Sequence, residues 1–370
     1  MAITISQNVT GIYPAYNDSY IIFTSGLASP LYAEITITGF ANVFKIFPDA
    51  SGVFVFNFKE AIKSVFNADG FKDANADGTG VNGKSIAGAY NTLTYDIEVF
   101  NISTSETDLA NVLTFYKSVK QVGEEVFTNE AEVLHHSLNG VDFYLTYFEG
   151  YPFTVDLKRL TAADSLVIKN LNTNVSGTAL VAASTNAYRL YIDKATENWT
   201  TTSYLPLVDV VNRLELKVNT VFKTNLNLKK VTGIEDCDKG LYLKWFNNHG
   251  GYSYWLFDEF YTTRIRSREN YQVATNDFSN VGALVNTVTS GGFSGEEMIT
   301  AKSILDVNEA MTLKDLLTSP SVQMWSQREP WKAGEWIDVN VSGNYQIATK
   351  KALNPISVTV TLPELILPTL

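Results

Sequence analysis

Apolar and polar residues alternate with a period of two along much of this chain, the spacing that turns one side of an extended strand inward and the other outward. In the first hundred residues the alternating runs are Tyr20–Thr24, Ala33–Thr38, Val43–Phe47 and Val53–Phe58, punctuated by turn residues such as Tyr13–Asp18, and another run follows at Tyr90–Val99. Strands repeating at this spacing predict a sandwich. Lys59–Phe66 (KEAIKSVF) departs from the alternation and has the apolar spacing of a short amphipathic helix.

The pattern then loosens. Between 104 and 136, Leu109, Val112, Leu113, Tyr116, Val119 and Val122 follow a mixed spacing that predicts an extended connection or irregular strands. Alternation resumes at Val141–Phe148, Pro152–Leu157, Ser165–Lys169, Ala187–Ile192, Leu214–Val218 and Leu226–Lys229. Gly291–Gly295 reads as a flexible stretch, and Asp306 or Asn308 as the cap of a helix over Glu309–Leu317 that Ser319-Pro320 stops. Val322–Trp325, Trp336–Val341 and Ile356–Leu362 supply the last strands.

The expected fold is therefore all-β, with two or three sandwich-like domains and short helices. Its expected parts are an N-terminal sandwich over 1–103, a connection over 104–141, a second β domain over 142–290, and a C-terminal β segment over 291–370 that either completes the second domain or stands as a third.

Gly240–Phe260 carries the heaviest aromatic load, with eight rings flanking the turn Asn247-Asn248-His249-Gly250-Gly251. Strict alternation places Trp245, Trp255 and Phe257 in a core, makes Lys244 the mark of the wetter face, and gives both turn glycines positive φ. The competing reading is a platform whose rings, Tyr252 and Tyr254 among them, stack on a sugar or a partner.

Composition narrows the classes. The 370 residues exceed one ordinary core, and 45% hydrophobic, 12% aromatic and 18% charged residues describe a packed β-rich protein rather than a disordered one. A net charge of −11 argues against a nucleic-acid surface. One local exception is Arg264-Ile265-Arg266-Ser267-Arg268, which sets three guanidiniums on one face of a strand, either paired with Asp258, Glu259 or Glu269 or forming an interface patch. The lone Cys237 excludes an intrachain disulfide and a thiolate zinc site, leaving a buried or inert thiol. MAITISQNV has no secretory pattern, and no apolar run is long enough to span a membrane, so a soluble chain made in a cytoplasm is expected.

Candidate chemistry is sparse. Asp73, Asn75 and Asp77, followed by Gly78, match the first half of a calcium loop, but Lys84 stands where a bidentate Glu is needed, and a solvated loop is the preferred reading. His135 and His136, with only His249 elsewhere, are too few for a histidine metal site. The phosphate-loop, nucleophile-elbow and zincin patterns do not occur. A glycosidase carboxylate pair would be made by tertiary contact and is not visible in sequence. Neither catalytic residues nor a cofactor are expected. Trp245, Trp255, Trp325, Trp331 and Trp336 are candidates for stacking on sugars, Trp331 in particular because it lies in an apparent loop.

Several stretches together resemble a known family. YPAYNDSYIIFTS, AEITITG and FNFKEAI near the start, the hairpin W-F-N-x-x-G-G-Y-x-Y-W-x-F, and the ending LKDLLTSPSVQMW…WIDVNVSGNYQIATKKALNPISVTVTL are similar to tail-associated virion proteins of phages infecting Bacteroidetes-type bacteria. The resemblance covers about the first 60 residues, Leu241–Asn270 and Thr312–Leu362. It implies a distal-tail or baseplate-like structural protein of the virion, a homo-oligomeric ring that docks other virion proteins. It implies no enzymatic activity. The alternative is a carbohydrate- or receptor-binding module meeting a host glycan. No nucleic acid partner and no membrane insertion are expected under either reading.

Overall fold

The computed structural model describes residues 2–9, 11–73, 83–86, 88–122, 132–137, 139–158, 165–179, 187–192, 207–208, 211–232, 240–258, 260–274, 288–326, 334–348, 350–365 and 367. The fold is all-β: of the described residues 57% are strand and 7% helix, far below the third that helices occupy in an average globular protein. Two compact units divide it, each assembled from separated stretches. The first comprises Met1–Phe143, Pro152–Asn227 and Asn247–Tyr252; the second comprises Tyr144–Tyr151, Leu228–Phe246 and Ser253–Leu370.

The first unit opens with β1 (Thr4–Gln7), β2 (Ile12–Pro14), β3 (Tyr20–Thr24), β4 (Tyr32–Ile37), β5 (Val43–Ile46), β6 (Val53–Asn57), α1 (Lys59–Phe66), β7 (Gly83–Ser85), β8 (Tyr90–Phe100) and β9 (Ser105–Tyr116). A three-stranded sheet, β1-β3-β6, and a five-stranded sheet, β2-β9-β8-β4-β5, share one core. Ile21, Phe23 and Phe54 enter it from the first sheet and Ile35, Ile37, Ile97 and Phe115 from the second, with Phe23 and Phe54 stacked at 5.1 Å. Helix α1 covers the exact span that its apolar spacing indicates and adds Ala61, Ile62 and Phe66 to this core. Asn57 Oδ1 accepts the Lys59 N–H at 3.0 Å, satisfying one of the donors a helix start leaves open.

Of the two expectations over 104–136, an extended connection or irregular strands, the first part meets the second: β9 is a strand paired with β8 from Ser105 to Tyr116 with one irregularity. Its alternation is masked by a bulge: Tyr95 faces Asn111 while Ile97 faces Asp108, so two residues, Leu109 and Ala110, oppose Asp96 alone. Ala110 takes φ 58° there and donates its N–H to Asp96 Oδ1 at 2.7 Å. Leu109 and Val112 consequently point outward, 65% and 58% exposed.

The unit continues with β10 (Glu132–Val133), β11 (Asp142–Phe148), β12 (Thr154–Lys158), β13 (Leu166–Asn170), β14 (Val175–Ala179), β15 (Ala187–Tyr191), β16 (Val211–Val218) and β17 (Val221–Val231), in the sheets β10-β12-β15-β7 and β11-β17-β16-β13-β14. By their own chain, β11 and β17 run on into the second unit.

The second unit is built on one seven-stranded sheet. Its strands are β18 (Leu241–Phe246), β19 (Tyr252–Phe257), β20 (Phe260–Ala274), β21 (Val288–Leu305), β22 (Val322–Trp325), β23 (Trp336–Gly343) and β24 (Asn354–Thr361), in the order β19-β18-β22-β23-β24-β21-β20. Between β21 and β22 lie α2 (Val307–Thr312) and a 3-10 turn over Leu313–Thr318. Asp306 caps α2 by accepting the Glu309 N–H at 2.9 Å, and Glu309 reciprocates on the Asp306 N–H at 3.1 Å.

Expectations about the domain boundaries, Gly291–Gly295 and Lys244 are corrected. Gly291–Gly295 is not a flexible stretch but lies inside β21, paired with β20, and the expected boundary at 290/291 cuts that strand. The 103/104 boundary likewise falls in the turn joining the paired strands β8 and β9. Lys244 does not mark a wet face: all six residues of β18 are buried, and the Lys244 ammonium sits 4.4 Å from the centre of the Trp336 ring. Trp245, Trp255 and Phe257 do enter the core.

Candidate functional site

The longest run of exposed positions among the described residues lies on β20, which pairs with β21 in a ribbon. Strand β20 has 15 residues, ~50 Å at ~3.4 Å per residue. It closes one edge of the seven-stranded sheet, so its outer row of backbone N–H and C=O groups has no neighbouring strand among the described residues. Every position from Thr262 to Val273 is exposed. A strand packed on a core alternates between buried and open positions; here both faces are open. Strand β24 supports β21 only over Met298–Leu305, and beyond it two backbone bonds from the C-terminal segment, Leu362 N–H to Glu297 O at 2.9 Å and Leu365 N–H to Gly295 O at 3.0 Å, extend that support.

The register sorts the ribbon's side chains. Arg264, Arg266 and Arg268 stand on one face opposite Met298, Glu296 and Ser294, and Ile265 and Glu269 stand on the other opposite Glu297 and Phe293. Among the described residues, none of the three arginines forms an ion pair. Two expected carboxylate partners are engaged elsewhere: Asp258 accepts from the Ser303 hydroxyl at 3.4 Å and Glu269 from the Gln272 amide at 3.0 Å, while Glu259 lies outside the described residues. Apolar groups are open as well, with Ile265 68%, Tyr271 50% and Phe293 47% exposed. Gly291 makes room for Tyr271, because a Cβ there would stand 1.9 Å from Cε2 of the tyrosine ring. The local sequence thus builds a strand with an aromatic ring lying across a glycine, a device that holds a ribbon together without a core.

A second polar concentration lies in the first unit and is closed to solvent. Asp156 of β12 and Arg189 of β15 are register partners, and the guanidinium grips the carboxylate with Nε–Oδ1 at 2.7 Å and Nη2–Oδ2 at 2.9 Å. The remaining amino group, Nη1, donates to Asp73 Oδ1 at 2.7 Å, and the Tyr252 ring centre lies 5.0 Å from the guanidinium carbon. Burial pushes the Tyr252 phenol upward, with the Asp73 charge adding to the effect. The turn Asn247–Tyr252 is fitted beside this network. Asn247 Oδ1 accepts the His249 and Gly251 N–H groups at 3.0 and 3.1 Å, and its amide donates to Leu134 O at 3.0 Å. Gly250 alone of the two turn glycines has positive φ, 87°; Gly251 is needed for space, since a Cβ there would stand 2.6 Å from Leu134 O.

All three histidines gather near this turn, His136 and His249 with ring centres 6.1 Å apart. Burial depresses His135 to about 4 and His249 to about 3, His249 also through the other two imidazoles. No group of three or more His, Cys, Asp or Glu among the described residues has a geometry that would hold a metal ion. For the calcium-loop candidate, Asp73 is taken up by Arg189 and Lys84 lies within β7 opposite Arg189, while Asn75 and Asp77 lie outside the described residues, as does Cys237.

The sugar-stacking candidates separate. Tyr254 and Trp255 are interior, 5% and 4% exposed, Tyr254 stacked on Tyr242 at 6.1 Å and Trp255 edge-on to Phe148 at 5.3 Å. They offer no open ring face, which corrects the platform reading for Tyr254; Tyr252 is half-buried against Arg189. Trp331 lies outside the described residues. Trp325 and Trp336 are register partners, both half-buried, with ring centres 5.0 Å apart and planes inclined at 55°. Sequence reasoning missed Asp156 and Arg189. A signal was available: each is a charge flanked on both sides by apolar residues in the middle of a strand, TVDLK or AYRLY, and all five residues of both strands are buried.

No family model matches the chain, and neither does any curated protein. Among solved structures, a chain from work on host cell surface retention of a 1.5-MDa bacterial ice-binding adhesin aligns with 94% of this chain and 91% of its own, at 11% identity and a TM-score of 0.17. At that TM-score the likeness bears on neither fold nor function.

Proposed function

We infer that this chain is a non-enzymatic structural component of a phage virion, in the tail or baseplate, where it oligomerises and docks partner proteins. The observation that carries the reading is the ribbon: twelve consecutive exposed residues on an edge strand, with arginines and apolar side chains both open to contact. A two-stranded ribbon is only marginally stable by itself, and a long open edge is a template for a further strand unless something covers it. An assembly covers it. The resemblance of the opening, hairpin and closing stretches to tail-associated virion proteins points the same way, and no step of this role calls for a cofactor. Quantitative mass spectrometry of purified phage particles tests the reading: the chain should be present in a fixed ratio to the tail proteins, and its absence overturns the assignment.

The Trp325–Trp336 pair favours a second reading, a carbohydrate- or receptor-binding module. Two half-open indoles beside Lys244, with Gln323 Nε2 donating to Asp338 Oδ1 at 2.7 Å two register positions away, combine ring faces with hydrogen-bonding groups. On a glycan array, binding that disappears in Trp336→Ala with the fold intact would establish it.

A further inference from the structure

We propose that the open edge of β20 is a docking site for an extended, acidic strand from a different protein, one with Asp or Glu at alternate positions. The proposal rests on the assembly reading and names the chemistry of the partner.

The backbone supplies the general part of the recognition. An edge strand with free N–H and C=O groups binds an incoming strand through main-chain hydrogen bonds, and the side chains at alternate positions choose among sequences. Here the chosen positions are Arg264, Arg266 and Arg268, spaced by two and therefore on one face, none ion-paired among the described residues. A strand added beside them brings its own every-second residue against this row. Opposite charges in directly facing cross-strand positions stabilise the pair, and like charges oppose it.

That same rule opposes the simplest occupant, a second copy joined edge to edge with the two arginine rows facing. A two-fold pairing of β20 with itself centred on Ile265, Arg266 or Ser267 sets arginine against arginine: 264 against 266, 264 against 268, or 266 against 268. Parallel pairing in register does the same. The chain's other described edge strands, β1, β2, β5, β6, β7, β10, β11, β14 and β19, offer no complement either, because none has two acidic residues spaced by two. Among the described residues no edge strand of this chain complements the row, which favours a strand from a different protein. The chain's overall charge of −11 does not forbid an acidic partner, since charges beyond ~10 Å are largely screened at 0.1 M salt and the arginine row acts at contact.

The experiment uses the full chain and three fluorescein-labelled peptides: acetyl-TVEVEVEVT-amide, the same sequence with Lys at each Glu, and the Glu peptide with alternate backbone nitrogens methylated. Fluorescence anisotropy at 50 mM salt should show binding of the Glu peptide alone. The variant R264E/R266E/R268E should bind the Glu peptide about tenfold or more weakly, the order expected for losing three exposed ion pairs, and should now bind the Lys peptide. Because the three side chains are exposed, the variant should melt with the parent. Equal binding of Glu and Lys peptides, undiminished binding of the methylated peptide, or no binding at all would overturn the proposal. Particle mass spectrometry separates this from the assembly reading: a chain present in particles that ignores the Glu peptide keeps its structural role and loses this partner. A chain absent from particles that binds the Glu peptide keeps the strand site and loses the virion role.

Discussion

Replacing Arg189 by methionine removes one guanidinium and keeps an unbranched aliphatic side chain in its buried place on β15. Arg189 and Asp156 each have side chains 1% exposed and Asp73 5%, so the substitution strands two carboxylates away from water. Of the donors now serving Asp156, the Tyr252 N–H at 3.2 Å would remain. Removing one partner of a buried ion pair typically costs about 3–5 kcal/mol, a large share of a usual domain stability of about 5–15 kcal/mol. In a unit of this size each kcal/mol lowers the melting temperature by about 2–4 °C, so R189M should melt roughly 6–20 °C below the parent by thermal circular dichroism. Asp156→Asn should also destabilise. The double variant R189M/D156N should lose less than the two single losses added together, because each substitution removes the same contact. R189M melting within about 1 °C of the parent, or strict additivity in the double variant, would refute the reasoning that this pair is dry and closed.

Trp255→Ala should cost about 3–5 kcal/mol, the usual range for truncating a buried ring, since Trp255 packs edge-on to Phe148 at 5.3 Å and its Nε1 donates to the Ser303 hydroxyl at 3.3 Å; chemical denaturation of the variant checks it. Stability should also fall on acidification. His135 at about 4 and His249 at about 3 lie below the usual histidine value of 6.5, so the unfolded chain takes up protons that the folded chain refuses. Their contribution is full above pH 6.5 and declines by about 1.4 kcal/mol per pH unit per histidine as the pH falls toward 4. Denaturant titrations at pH 7, 6 and 5 should show that slope, smaller in His135→Asn, and a flat profile would contradict the burial of these rings.

Local structure was legible in the sequence where side chains carry a period. Tyr20–Thr24 and Val53–Phe58 alternate and form the paired strands β3 and β6, KEAIKSVF is a helix, and Asp306 caps α2. Legibility failed where the period is interrupted or has no side chain to show it. The bulge at Leu109-Ala110 shifts the inward face of β9 by one position, so a continuous strand reads as irregular. Gly291, Gly292 and Gly295 carry no side chain to alternate, yet they lie in β21, where Gly291 clears the Tyr271 ring. Lys244 was misread because charge alone does not reveal the indole beneath it. The arginine row could be read on one face from its spacing. That Asp258 and Glu269 do not pair with it depends on where those two side chains turn, which only tertiary structure decides.

The central claim is that the ribbon serves docking and not folding, and a variant that changes only its open apolar groups tests it most directly. Ile265→Ser with Phe293→Ser alters two exposed side chains on one face of the β20–β21 pair. Surface changes of this kind usually stay within about 0.5 kcal/mol each, so the doubly substituted chain should melt within about 3 °C of the parent. When it replaces the parent during phage growth, quantitative mass spectrometry of the purified particles should find it depleted at least about tenfold relative to the tail proteins. Incorporation at the parental level by a normally folded variant would contradict the account.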